Sequence, residues 1–144
     1  MSRLSIAIII GVFLVIGFVI SVQRVVSRPV VETSVNQLFV NPTSIDFGDI
    51  DQGGGIVSQT VTVTNYGSKP LEIYRISTSC GCTTAEMDQS PIEPNVQRLL
   101  TISFDPMAHP DQNGTIARVV YLQTSDPNQP EFEINVIGNV IAVK

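Results

Sequence analysis

In the stretch IVSQTVTVTN, residues 56–65, apolar and hydroxyl-bearing side chains alternate from Val57 to Thr64, with Gln59 interrupting the apolar row. Val57, Val61 and Val63 fall on one side, and Ser58, Thr60, Thr62 and Thr64 on the other. A period of two cannot gather its apolar residues on one face of a helix, whose period is about 3.6, so the segment reads as a half-buried strand. The same period returns further on. Leu100, Ile102 and Phe104 share a face in LLTISF, and Phe132, Ile134, Val136, Val140 and Ala142 do so in FEINVIGNVIAV. ARVVYLQ sets Ala117, Val119 and Tyr121 against Arg118, Val120 and Leu122, a pattern suited to a strand covered on both sides. Turn formers separate these runs: Gly53-Gly54-Gly55, Asn65 to Pro70, Pro91 to Asn95, Asp105 to Gly114, and Asp126 to Pro130. No helical period between them is long enough to cross over between parallel strands. The expected architecture over 37–144 is therefore all-β, an immunoglobulin-like antiparallel β-sandwich of about seven strands.

A different constraint rules the other end of the chain. From Leu4 to Val22 there are 19 residues without a charge, and only Ser5 and Ser21 are polar. As a helix this run spans roughly 28 Å, close to the hydrocarbon thickness of a bilayer. Leu4, Ile8, Phe13, Ile16, Phe18 and Val22 mark the expected lipid-facing anchor. A cleaved signal peptide has a shorter apolar core and small residues at its cleavage site. Here Val22-Gln23-Arg24-Val25-Val26 follows, and no cysteine is present for a lipid anchor. One transmembrane helix over 1–22 is expected, then a stalk over 23–36 containing Pro29. Arg3 and the α-amino group on one side nearly balance Arg24 and Arg28 on the other. Orientation is therefore read from length: a whole domain behind a very short N-terminal tail places the C-terminal part outside the cytoplasm. The expected location is the cell membrane, single-pass, with the bilayer itself the first partner.

From residue 33 onward lie twelve of the thirteen acidic residues and five of the eight basic ones, a net charge near −7. Such a surface argues against nucleic acid as a partner.

Several segments occur together in order: SIDFGDIDQGG (44–54), VTVTNYGSKPLEI (61–73), SCGCT (79–83), PIEPN (91–95), FDP (104–106) and TSDPNQPEFEINVIGNV (124–140). The set resembles the bacterial domain family of unknown function numbered 1573, which is similar to the hydin-like and major-sperm-protein-like sandwiches. That resemblance implies the fold but no activity. Its most specific part is Ser-Cys-Gly-Cys-Thr after an N-x-G-x-x-P-L hairpin. Asn95 stands where the family pattern has glycine, and asparagine also tolerates left-handed backbone. Phe47 suits the core, and Gly48 a sharp turn after it.

Cys80 and Cys82 are the only cysteines. An extended C-x-C segment puts its Cα atoms about 6.5–7 Å apart, so a disulfide needs a bend at Gly81. A ring that small adds little stability. Two thiolates could also provide half of a zinc site, or bind copper(I) alone or mixed with thioether sulfur. Met87, Met107 and His109, the single histidine, are the further candidate ligands. The residues alone leave a structural turn, thiol–disulfide exchange and metal binding all open. Asp46, Asp49 and Asp51 lack the spacing of a calcium loop, and one histidine cannot be placed in a catalytic set. No catalytic residues are expected. The expected function is a non-catalytic module that binds or scaffolds an unidentified protein partner, with copper binding or thiol redox chemistry at the Cys-Gly-Cys turn as the alternative.

Overall fold

In the computed structural model, residues 37–142 are described. The expectations for the membrane span and the stalk fall on residues 1–36 and lie outside the described residues. Among the described residues, no helix is long and apolar enough to cross a membrane.

Eight strands build two four-stranded sheets: β1 (Leu38–Asn41), β2 (Ser44–Asp51), β3 (Val57–Asn65), β4 (Ile73–Thr78), β5 (Thr83–Glu86), β6 (Gln97–Phe104), β7 (Gly114–Thr124) and β8 (Glu131–Ile141). One sheet has the order β1-β3-β6-β5 and the other β2-β8-β7-β4. A single 3-10 turn, Gln52–Gly54, follows β2.

The alternation read from the sequence lands where expected. Val61, Val63, Leu100, Ile102, Phe104, Ile134, Val136 and Val140 are all buried. Val57 and Phe132 are half-buried at the margins, and Ala142 is exposed. Each fully buried aliphatic or aromatic side chain stabilises the fold by about 1.5–3 kcal/mol, so the two facing rows supply the main driving force. On β7 the inward row Ile116, Val120 and Leu122 is buried, while Val119 and Tyr121 on its outer face are half-covered.

Two expectations need correction. The sandwich has eight strands and is not wholly antiparallel, because β2 runs parallel to β8. The cause is the four-residue β1, which pairs antiparallel with β3 and ends at the cis Asn41–Pro42 bond. The chain then enters the opposite sheet as β2, beside β8, and Thr43 accepts the first bond there from the Asn135 N–H at 3.0 Å. No hairpin joins β2 to β8, so their relative direction is set by the crossing between sheets. Secondly, residues 65–71 do not form a hairpin, since β3 and β4 lie in different sheets. Asn65 makes that crossing: its buried amide donates to the Lys69 and Ile92 carbonyls, both at 2.7 Å, and accepts from the Gly67 N–H. The turn at Asn95 does adopt left-handed backbone, with φ of 62°.

A bulge between Asp46 and Asp49 holds Phe47 and Gly48, the latter at φ of 65°. Phe47 turns inward there and packs against both core clusters. Gly138 on β8 lies beneath the bulge, where a Cβ would come within 2.9 Å of the Ile50 side chain and 3.4 Å of the Gly48 carbonyl.

The larger core cluster fills most of the sandwich. A smaller one closes one end, formed by Ile50, Cys82, Phe104, Ile116 and Val140 with Phe47, Val57 and Cys80 against it. The cysteines therefore belong to the core of that end.

Candidate functional site

The Cys-Gly-Cys segment is where the chain leaves one sheet for the other. β4 continues its ladder one residue past its end, with Ser79 donating to the Val119 carbonyl at 2.9 Å and accepting from the Val119 N–H through its hydroxyl. The backbone then turns, with the Thr83 N–H donating to the Cys80 carbonyl, and β5 begins. The Thr78 hydroxyl lies 2.9 Å from the carbonyls of both Cys80 and Thr83, tying the two ends of the turn together.

Cys80 and Cys82 are joined in a disulfide with a Cα separation of 5.2 Å. Cys82 is 2% exposed, whereas Cys80 is half-buried at the rim. Loop closure over three residues is worth about 1.6 kcal/mol, comparable to a single buried aliphatic side chain, so the many-residue core and not this ring holds the sandwich together. The expected bend does not use the special freedom of glycine. Gly81 is absent from the left-handed backbone positions, and a Cβ there would meet nothing within 4 Å. Gly81→Ala is expected to keep the disulfide and to change stability by less than about 0.5 kcal/mol, as read by thiol labelling and thermal melting.

The structure brings His109 to this turn. The loop after β6 starts with the Asp105 N–H donating to the Cys82 carbonyl. Gln52, the buried first residue of the 3-10 turn, donates to the Pro110 carbonyl at 2.6 Å and holds the loop from the other side. His109 Nε2 consequently lies 3.5 Å from Cys80 Sγ. The ligand atoms of Cys80, Cys82 and His109 all fall within 4.8 Å of one another. Met87 instead packs against the larger core, and Met107 is about half exposed in the loop. The carboxylates of Asp46 and Asp51 accept from Gly48 N and Gly53 N, two residues on, and that of Asp49 accepts from Asn139 Nδ2 across the β2–β8 pair, so all three are used structurally.

One residue of the site was not singled out by its sequence context. Arg118 sits in the inward-facing row of β7, where aliphatic residues precede and follow it. Its Nε donates to Cys82 Sγ at 3.4 Å, and its terminal nitrogens donate to Gln112 Oε1 and the Ala117 carbonyl. The ion pair found among the described residues is Arg98–Asp88, so no carboxylate lies within 4 Å of Arg118. A cation placed inward in the core row is the signal that could have marked it.

Two sheets of four strands, one antiparallel and one mixed, closed at one end by a cysteine-pinned crossing, define an immunoglobulin-like sandwich domain. The family model described as "Protein of unknown function (DUF1573)" matches residues 38–140, and the chain belongs to that family. No curated protein matches it. Among solved structures, it is similar to a protein of unknown function from Porphyromonas gingivalis W83. Identity is 26% and TM-score 0.63, over 71% of this chain and 46% of that one, so the chain spans less than half of that relative's length. PapD-like domain 7 of human CEP192 shares the fold at 12% identity and TM-score 0.61, covering 81% and 94% of the two chains. The YadV chaperone does so at 13% identity and TM-score 0.54, covering 75% and 54%.

Proposed function

We propose that this protein is a non-catalytic, protein-binding sandwich carried on a single N-terminal membrane span, with the domain outside the cytoplasm. The observation that carries the binding role is the outer face of β1, β3 and β6. In a strongly acidic domain these three strands present no charged side chain outward: the face consists of Phe39, Asn41, Ser58, Thr60, Thr62, Gln97, Leu99, Thr101 and Ser103, with Thr64 in the same row but buried. Phe39 and Leu99 are 49% and 64% exposed. Tyr66, 55% exposed, extends the face, its ring centroid 5.6 Å from that of Phe39. Depletion of charge with exposed aromatic and aliphatic anchors is the composition of an interface centre. Among the described residues β1 is also an edge strand, paired only with β3, and an edge of that kind can accept a partner strand. Outward placement rests on the uncharged run at 4–22 and on the oxidised cysteine pair, since disulfides persist outside the reducing cytoplasm.

A photo-reactive amino acid at position 39 or 99 of the full chain, irradiated in intact membranes, is expected to give a discrete protein adduct that position 121 on the opposite sheet does not give. Leu99→Glu is expected to lower the position-39 adduct about ten-fold, a loss of roughly 1.4 kcal/mol. Equal labelling from both faces, or none, overturns the binding role. Protease added to intact cells is expected to remove the region beyond Arg28. Protection of that region in intact cells but not in opened ones overturns the outward placement.

A further inference from the structure

The Cys-Gly-Cys end of the sandwich collects a donor set that protein binding does not need. It consists of two sulfurs, an imidazole nitrogen and a guanidinium that pairs with no carboxylate among the described residues. We infer that reduction of the Cys80–Cys82 bond converts this end into a copper(I) site, held by both thiolates and Nε2 of His109, with the Arg118 guanidinium as its counter-charge. None of Phe39, Tyr66 and Leu99 takes part, so the inference stands apart from the binding face.

Three observations select the ion. The donors are soft: two cysteine sulfurs with one imidazole suit copper(I). Their number is low. A structural zinc site is completed by four ligands, and the histidine, cysteine and carboxylate groups gathered here among the described residues stop at three. The charge also fits. Two thiolates and one copper(I) sum to −1, which Arg118 beside Cys82 Sγ neutralises. A zinc(II) bis-thiolate is neutral and would leave that inward-facing cation uncompensated.

The same geometry gives the reduction a direction. A thiolate of an external dithiol attacks Cys80 Sγ, which is half-buried, in preference to Cys82 Sγ, which is 2% exposed. The disulfide bond breaks and its electron pair leaves on Cys82 Sγ, 3.4 Å from Arg118 Nε, where a thiolate is stabilised. The second thiol of the reductant then attacks the mixed disulfide, releases Cys80 and departs as a cyclic disulfide. Two electrons and two protons have passed from the dithiol to the protein. Binding of copper(I) displaces the thiol protons that remain. The loop bearing His109 is already held by Gln52, and its ring stands next to the rim sulfur before any metal arrives.

The test uses the full chain in detergent, reduced with a phosphine that is then removed, and titrated anaerobically with copper(I) against a chromophoric copper(I) chelator. One copper per reduced chain is expected. Affinity is expected to be at least about 100-fold weaker in the oxidised chain and in Cys82→Ser, and about ten-fold weaker in His109→Ala. X-ray absorption of the loaded parent is expected to show sulfur with one nitrogen, the nitrogen being lost in His109→Ala. His109 is exposed, so that variant should keep the parent's melting temperature when oxidised, which separates a lost ligand from a lost fold. Unchanged affinity in His109→Ala overturns the site. Equal copper retention by Cys80→Ser/Cys82→Ser, or displacement of the copper by equimolar zinc(II), does the same. A pair that exchanges with dithiols yet holds no copper also overturns it.

Discussion

Asp126→Asn is expected to lower the melting temperature by about 10–20 °C at neutral pH, corresponding to about 2–3 kcal/mol in a domain of this size. Asp126 is 1% exposed at the turn between β7 and β8. Its two oxygens accept from the Gln37 N–H at 3.1 Å, the Asn128 N–H at 2.9 Å and the Asn128 side-chain amide at 3.2 Å. Burial by itself pushes the carboxyl up, but these hydrogen bonds outweigh it and hold Asp126 below the usual carboxylate range. An asparagine must turn an N–H donor towards another donor, leaving a buried group unpaired. It also releases Gln37, whose carbonyl accepts from Tyr66, so the point where the chain enters the sandwich loosens. The sign of the pH dependence follows from the depressed value. The stability that Asp126 contributes is present above its unfolded pKa of about 3.9 and is lost as pH falls through the lower folded value. Melting temperatures of parent and variant should therefore differ most at pH 7 and converge below about pH 4. A gap that stays constant down to pH 2 would sink this account.

Asn65→Asp is expected to cost about 3–5 kcal/mol at pH 7 although it replaces a single atom. Asn65 is fully buried, and its amide nitrogen lies 2.7 Å from each of two carbonyl oxygens. An aspartate would face those oxygens with a charge and no donor. Burial and repulsion would raise its folded pKa above the unfolded value, so the penalty is complete above the folded pKa and relieved as pH falls towards about 3.9. This is the opposite slope to that of Asp126. Denaturant unfolding of the variant at pH 7 and pH 4.5 measures it; equal destabilisation at both values would refute the assigned role of the Asn65 amide.

The two asparagine and aspartate positions illustrate what a linear reading can see. Asn65 and Asp126 both lie among turn formers, and the reading of each as a connection is correct. The type of connection was legible at neither: at Asp126 a hairpin joins neighbouring strands of one sheet. At Asn65 the same composition carries the chain between sheets. Glycine, asparagine and proline report that a strand ends, not where the next one pairs. The site divides in the same way. That two cysteines one residue apart can close a ring is a local property of chain length. That His109 stands 29 residues further on and yet beside Cys80, and that Arg118 points at Cys82, depends on the register of β7 against β4 and on the Gln52 clamp.

By itself, the sequence determined four of the strands, β3, β6, β7 and β8, and which of their faces are apolar, because period two is imposed by backbone geometry within each strand. It also determined membership of its family and the possibility of a small disulfide, both of which rest on neighbouring residues. Tertiary structure alone decided which strands share a sheet, the parallel β2–β8 pair and the meeting of sulfur, imidazole and guanidinium at one end. Those outcomes depend on contacts between distant segments, whose free energies are set by how two faces fit together and are not written in the period of either one.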